Sequence, residues 1–581
     1  MQALIRSTIA AAIFSSLLVP SLARAQPGEP VGEPPPNQGS GGLPVVSGDD
    51  ARIREIVDRE LARVLTERAA KEAAERAARE AESPSSATAK SGEISGQSGL
   101  FDTRIAFTVT NENLLVQPGE TIPSVPGWRF GVPNSLGVLF FDNYDTRYSG
   151  FETLSHVTAY RDVRRGHLEA EAGFVMRLNE LSGSNIALSD DGSYIVLSDW
   201  KDPSHKDPTR ISFTAFPVSA DRFRLGYSYR LSWGGDPEYS RASSATPGFK
   251  LQYDTNGLYA FVGAKSAVIL DRATAEQRSA LAGLFGAGYD PNDMVRLEFN
   301  GGYFDRGFNE LIDVNREHVQ LVGGSVQASI HKGMPIRSSV DYRLYKYNGE
   351  QISGLFSPET YPGGLSWLAQ SEFTVIGQTL KDPEKTGSTK LQIGHAGDLN
   401  IRVKNDRVRV RADVSYRDLG FILHSVPSLP TYEDFPAVYK TTADLFAAVG
   451  VDNNWNDWLT LGLIAGVEKP ATLTSPTGIP GSTATGQSTA VIRNNNIDTI
   501  ITILPPGKAA VPQIALKANA KIDFARLYSA VFEVFYSYDG NTTRYERAGC
   551  ATGVSCPDAP FQYVFGNFNQ LGVNVSLQAR F

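Results

Sequence analysis

Cysteine is almost absent from this chain: 581 residues contain only Cys550 and Cys556. A disulfide-dense scaffold and a cysteine-rich zinc domain are thereby excluded. The two stand in A-G-C-A-T-G-V-S-C-P, a spacing that in an exported chain favours a local disulfide across a loop; a zinc site there lacks further ligands nearby. Histidine is sparse as well. His156, His167, His205, His318, His331, His395 and His424 are scattered, and no two have metal-ligand spacing. G-x-G-x-x-G and phosphate-loop patterns are missing. The expectation is a protein that is not an enzyme and needs no metal or cofactor. A formal net charge of -8 argues against a general nucleic-acid partner. Past the N-terminus no run of about 18 apolar residues occurs, so no transmembrane helix is expected. A membrane is not thereby excluded, because barrel strands expose apolar side chains at every second position only.

What is present divides the chain into five stretches. Residues 1–25 read as a secretory signal: Arg6 supplies the charge, Ile9 to Leu22 the apolar core, and Ala23-Arg24-Ala25 the cleavage site. Residues 26–49 are a Pro/Gly-rich linker. Over 50–82 apolar residues recur at helical spacing (Ile53, Ile56, Val57, Leu61, Val64, Leu65), and Glu55 with Arg59 or Glu67 with Lys71 form i,i+4 pairs in the favourable order. Each pair contributes about 0.2–0.5 kcal/mol. The narrow stripe suits either a coiled coil with copies of itself or a solvated single helix; Arg68 and Lys71 interrupt the heptad. Residues 83–100 form a second linker, rich in Ser, Gly and Ala.

From Phe101 to Phe581 the period changes to two. In 167–178, Leu168, Ala170, Ala172, Phe174, Met176 and Leu178 share one face, with Glu169, Glu171 and Arg177 on the other. The same alternation marks 222–233, 294–304, 336–345, 398–404, 407–417, 513–524, 527–538 and 570–581. None of these nine apolar faces carries a charge. Lipid imposes that exclusion, since Arg or Lys at a bilayer midplane costs about 2–4 kcal/mol; a buried sandwich core would impose it equally. The connections separate the two. Asn256-Gly257 is a type I′ hairpin signal, and Asp290-Pro291-Asn292-Asp293, Lys332-Gly333-Met334-Pro335 and Asn405-Asp406 are equally short. Between them lie long polar loops at 179–208, 347–363, 419–436, 469–487 and 539–560. Short turns alternating with long loops describe a barrel with two unlike rims. Tyr227, Tyr229, Trp233, Tyr536 and Tyr538 would suit its aromatic girdles.

The chain ends L-G-V-N-V-S-L-Q-A-R-F, one apolar face from Leu571 to Phe581 opposed by a polar one. This strand with its terminal Phe581 resembles the C-terminal signature of Gram-negative outer-membrane β-barrel proteins, in which it is read by the barrel-assembly machinery. Residues 101–581 resemble outer-membrane porins. With the N-terminal helix included, the arrangement is similar to the trimeric DcaP-like porins, which carry a periplasmic coiled coil. The expected fold is therefore an all-β antiparallel transmembrane barrel of about 16–18 strands, preceded by a periplasmic helix. The resemblance implies a homotrimer in outer-membrane lipid and lipopolysaccharide, passive diffusion of small hydrophilic solutes, and a constricting loop folded inward. Loop 179–208, with Asp190, Asp191 and Asp199, is the candidate for that loop.

If the apolar faces meet lipid, the opposite faces line the lumen. There the nine segments place 16 Lys or Arg against 8 Asp or Glu, although the whole chain is acidic. Arg222, Arg224, Arg230, Arg337, Arg343, Arg402, Arg409, Arg411, Lys517 and Lys521 are the expected pore-lining residues. Focused by a low-dielectric wall, their field would favour anions. They could instead pair with carboxylates such as Glu169, Glu171, Asp341 and Asp413 and brace the wall. A structural tether, reaching into the periplasm with the Pro-rich and helical segments, is the other reading. A gated transporter would need a folded plug larger than the segment before Phe101.

Overall fold

Alternation with a period of two becomes strand along most of the described residues between Ser98 and Arg580 in the computed structural model. The structure describes residues 98–580 apart from 112, 116–126, 132–138, 142–154, 183–184, 191, 229, 240–244, 272–273, 335–363, 425–432, 457, 479–485, 495–498, 526–527 and 548–560. The signal segment, the linker 26–49, the helix 50–82, Arg337, Arg343, Cys550, Cys556 and Phe581 lie outside the described residues.

Eighteen strands form the wall. They are β1 (Ser98–Asn111), β2 (His156–Arg165), β3 (Leu168–Ser182), β4 (Tyr194–Trp200), β5 (Arg210–Phe216) and β6 (Gly248–Thr255). Next come β7 (Leu258–Asp271), β8 (Glu276–Asn292), β9 (Val295–Phe308), β10 (His318–Lys332), β11 (Leu365–Lys381) and β12 (Thr389–Asn405). The last six are β13 (Val408–Arg417), β14 (Asp444–Asn456), β15 (Leu459–Lys469), β16 (Gln513–Ala525), β17 (Tyr528–Tyr538) and β18 (Asn569–Arg580). Each pairs antiparallel with its sequence neighbours, and β18 returns to β1 with Arg580 opposite Arg104 and Val573 opposite Asn111. The sheet is thus closed, and no wall strand is left as an open edge. The barrel begins three residues before the expected boundary, because Ser98, Gly99 and Leu100 already pair with β2.

The two faces separate as the alternation requires. Leu168, Phe174, Leu281, Phe285, Val326, Phe373, Val414, Val449 and Val534 are exposed on the outside, while Glu169, Glu171, Gln327, Glu372, Asp452, Lys517 and Glu533 are buried within. A charge-free apolar belt over a polar interior is the arrangement a bilayer selects. No helix among the described residues is long and apolar enough to cross a membrane.

The rims differ as expected. Among the described residues, four turns at one end have two residues each: 166–167, 256–257, 293–294 and 406–407. Gly257 has φ +70°, and a Cβ there would stand 3.0 Å from the Asp290 carbonyl, so the tight hairpin requires glycine. The chain termini of the barrel lie at this same end. The Lys332–Pro335 stretch is not a short turn, because β11 starts only at Leu365. At the other end, Lys440–Thr442, Ala471–Ser475, Ser488–Asn494 and Thr499–Ile503 form a four-stranded sheet over the short helix α1 (Leu419–His424). Leu419, Ile422, Leu473 and Ile492 fill the space between them.

Segment 222–233 is not a wall strand. It belongs to the connection 217–247 between β5 and β6, which folds into the barrel. Its alternation comes from a narrow loop held by a bridge between Leu225 and Trp233, with N–H···O distances of 2.8 and 3.1 Å. Phe223, Leu225, Leu231 and Trp233 are buried against the inner wall at Ala267, Ala282, Leu284, Phe304, Leu321 and Ile376. Trp233 therefore belongs to no outer girdle. Burying four such side chains favours the inward position by roughly 6–12 kcal/mol in total. Segment 179–208 is not the constriction. Most of it is strand (the end of β3, Asn185–Asp190 and β4); Asp190 accepts the Gly192 amide at 3.1 Å in a tight turn, and Asp199 pairs with Leu168 in the wall.

Candidate functional site on the luminal wall

The inward connection crosses the barrel. Arg230 at its tip reaches β14 and β15, nine strands around the ring of eighteen from β5. Its guanidinium donates to Glu468 Oε1 at 2.6 Å, to Asp444 Oδ2 at 3.1 Å and to the Phe140 carbonyl at 2.8 Å, and it lies 4.0 Å from the centre of the Phe446 ring. Arg417 shares Asp444, with Nε at 2.9 Å. Desolvating this cluster costs several kcal/mol per ion and is offset only because each charge has a close opposite. Leu139, Phe140 and Phe141, from the connection between β1 and β2, pack on Phe446, Ala448, Ile464, Ala515 and Phe535.

Further contacts fix the crossing. Lys265 Nζ donates to the carbonyls of Ala220 and Gly234, both at 2.5 Å. Trp233 Nε1 donates to Ser325 Oγ at 3.1 Å. The amides of Tyr227 and Ser228 donate to Glu372 Oε2 at 2.6 and 3.1 Å. Glu238, in the 3₁₀ turn Asp236–Tyr239, has Oε1 3.4 Å from His424 Nε2 of α1, and both side chains are buried. Burial pushes the Glu238 carboxyl up, but the facing His424 imidazole together with the Arg224 charge outweighs it, and the carboxyl is held below its ordinary range.

With two sides of the lumen filled, a cavity opens at the loop tip. It is lined by Tyr227, Ser228 and Arg230 from the loop and by Gln370, Glu372, Asp398, Asn400, Arg402, Asp413 and Phe446 from the wall. The register orders these wall charges into rungs. Glu372 stands directly opposite Asp398, and Asp398 opposite Ser415. One rung on, Gln370, Asn400 and Asp413 are in line; the next holds Arg402 opposite Arg411, and the one after it Lys404 opposite Arg409. Like charges directly opposed across strands destabilise a sheet, so a carboxylate rung and two cationic rungs are kept here at a cost in folding energy. Asp398, Asp413, Arg402, Lys404, Arg409 and Arg411 are all half-buried.

The expected pore-lining residues therefore divide. Arg402, Arg409 and Arg411 lie on this half-buried wall; Arg402 Nε donates to Asn400 Oδ1 at 3.0 Å and Arg409 Nε to Asp452 Oδ2 at 3.0 Å. Lys517 and Lys521 point inward but are buried, with Glu533 at 3.5 Å and Asp523 at 3.1 Å. Arg222, Arg224 and Arg230 belong to the inward loop: Arg222 packs over Gly192, Arg224 donates to the Ser232 carbonyl at 2.8 Å, and Arg230 is the clamp. Pairing and bracing thus describe part of the set. Trp233, Lys265, Glu372 and the Glu238–His424 pair were not anticipated. One signal for Trp233 existed: Gly301-Gly302 and Gly323-Gly324 lie paired on β9 and β10, and the inward members, Gly302 and Gly323, make room for the indole.

The chain is a membrane-spanning β-barrel. The closed ring of eighteen strands with its apolar outer belt decides this. No protein-family model matches the chain, and no curated protein does. Among solved structures it is similar to OpdQ of Pseudomonas aeruginosa (7% identity over 84% of this chain and 98% of that chain, TM-score 0.38). OccD3 of the same organism (9%, 84% and 92%, TM-score 0.38) and an outer membrane protein of Vibrio cholerae, OmpT in a trimer form (9%, 84% and 99%, TM-score 0.32), also match. At these scores the reading of the barrel stands on its own strand pairing.

Proposed function

We propose that this protein is an outer-membrane porin, a water-filled channel for passive diffusion of small hydrophilic solutes with a preference for anions. The observation that carries the reading is the half-buried pair of cationic rungs, Arg402 with Arg411 and Lys404 with Arg409, beside a loop that narrows the lumen. In a low-dielectric enclosure such charges raise the local concentration of anions. The N-terminal segment would lie in the periplasm, and the barrel would assemble as a homotrimer.

Planar-bilayer recording of the full protein in a salt gradient tests this. The expected result is steady conductance with a reversal potential displaced toward that of the anion, moved toward the cation by Arg409→Glu combined with Arg411→Glu. Cation selectivity in the wild type would discard the preference, and a bilayer that stays silent would discard the channel in favour of a tether.

A further inference from the structure

We infer that the outer face of β10, β11 and β12 is a contact surface for a second copy of this chain, with the His395 imidazole as its polar contact. This deepens the reading of a barrel assembled from identical copies and rests on it. An apolar hollow of about 590 Å³ lies open on that face. Phe299, Val326, Phe373, Val375 and Ile393 surround it, and Gly324 puts no side chain into it. Val375 stands directly opposite His395 in the register, so hollow and imidazole are continuous. His395 interrupts the apolar belt. On its own strand Leu391 and Ile393 are exposed toward the long loops, Leu399 and Ile401 toward the short turns. Between them the His395 side chain is 47% exposed, and that of Asp418 beside it 24%.

The occupant follows from how the imidazole is held and from the shape of the face. Strand β13 ends at Arg417, and Asp418 then fixes the start of α1: its Oδ1 accepts the Phe421 amide at 2.8 Å, while its Oδ2 accepts the His395 amide at 2.8 Å and lies 2.9 Å from His395 Nδ1. Helix α1 packs on the inner side of the same strand, where a Cβ on Gly394 would come 2.3 Å from the Phe421 nitrogen. The ring is thus braced from behind. With Nδ1 engaged, Nε2 has no hydrogen-bond partner among the described residues. A bilayer core holds no water to supply one, so leaving this nitrogen against acyl chains is unfavourable. Acyl chains would fill the hollow and still leave Nε2 unmet; a protein surface with a polar side chain satisfies both. Gly324 on β10 and Gly397 on β12 put no side chain outward, and such small residues let two membrane-embedded backbones approach closely. A second copy of the chain also has its apolar belt at the same height, so apolar surface meets apolar surface throughout the contact.

The test places a photoreactive benzoylphenylalanine at Val326, in the hollow, or at Phe174 on β3, across the ring from β11, in the full protein expressed into an outer membrane. Illumination should give a dimer-sized adduct, surviving complete denaturation, from Val326 and not from Phe174. His395→Leu should shift the detergent-extracted oligomer toward monomer while the monomer keeps its heat-modifiable migration. His395→Gln, which returns a polar group near the Nε2 position, should restore the oligomer. The photoadduct does not depend on the His395 variants folding. Adducts from Val326 with lipopolysaccharide alone, or no adduct at all, would show that lipid covers this face and overturn the contact; so would an oligomer that His395→Leu leaves intact. Conductance of the same preparation separates the two readings: a conducting barrel without the adduct keeps the channel and loses only this interface.

Discussion

The indole of Trp233 occupies a hollow that Gly323 keeps open: a Cβ on Gly323 would come within 3.0 Å of the ring. Gly302 does the same from the neighbouring strand, at 3.4 Å. The loop is thus keyed to a place on the wall where two strands give up their side chains. Replacing the anchor should release it. Trp233→Ala removes a fully buried side chain, a loss worth about 3–5 kcal/mol in packed interiors. Single-channel conductance and current noise should both rise, with the barrel still resistant to dodecyl sulfate before heating. An unchanged conductance would show that this loop does not narrow the passage.

Arg230 supports the far end of the same crossing. Without it, among the described residues, Asp444 keeps its ion pair with Arg417 and Glu468 keeps the Gln513 amide. Removing one partner of a buried ion pair costs about 3–5 kcal/mol because the other charge stays buried. Arg230→Met should therefore raise conductance, and adding Glu468→Gln should restore part of the wild-type value. If the double variant is no closer to wild type than Arg230→Met, Glu468 is not the charge that the clamp neutralises.

Wall architecture was legible in the chain because membrane and lumen each act on every second residue. The period of two in segments such as 407–417 survives as strand, and the apolar face is the outer one. The inward loop is not legible in the sequence, for a physical reason. Leu225 and Trp233 alternate with polar neighbours as a wall strand does, yet they are buried against the inner wall rather than facing lipid, and period alone does not say which apolar surface is met. Charges were harder still. Lys517 and Arg411 read alike in sequence, and only the fold shows that Glu533 neutralises the first while Arg402 faces the second.

That difference can be measured. Neutralising Arg402 and Arg411 to Gln should shift the reversal potential toward the cation. The same change at Lys517 and Lys521, buried beside Glu533 and Asp523, should shift it less and reduce thermal stability more. Selectivity that responds equally to both pairs would mean that burial does not decide which charges the passing ion senses.

The outer belt gives its own test. Leu281 on β8 and Val326 on β10 are 62% and 53% exposed on the apolar face. An arginine near the midplane of a bilayer costs about 2–4 kcal/mol. Leu281→Arg should lower the urea midpoint for folding into lipid vesicles, whereas Ser329→Asn, on the luminal side of β10, should change it little. Equal effects would contradict the assignment of inside and outside.

Acid should act through Glu238, which faces His424. This contact joins the inward loop to α1 at the long-loop rim, with Arg224 and Asp221 on the loop side and Arg306 donating to the His424 carbonyl at 3.0 Å from the wall. Because the folded carboxyl lies below its ordinary value of 4.5, its contribution is fully present above that value and is lost as pH falls through the lower folded one. Conductance should hence stay level from about pH 7 to about pH 5, and loop noise should grow only below about pH 4. Glu238→Gln should abolish that acid-dependent change, leaving noise that no longer varies with pH. An acid transition that persists unaltered in Glu238→Gln would assign it to another carboxylate, and the link between rim and constriction would lose its support.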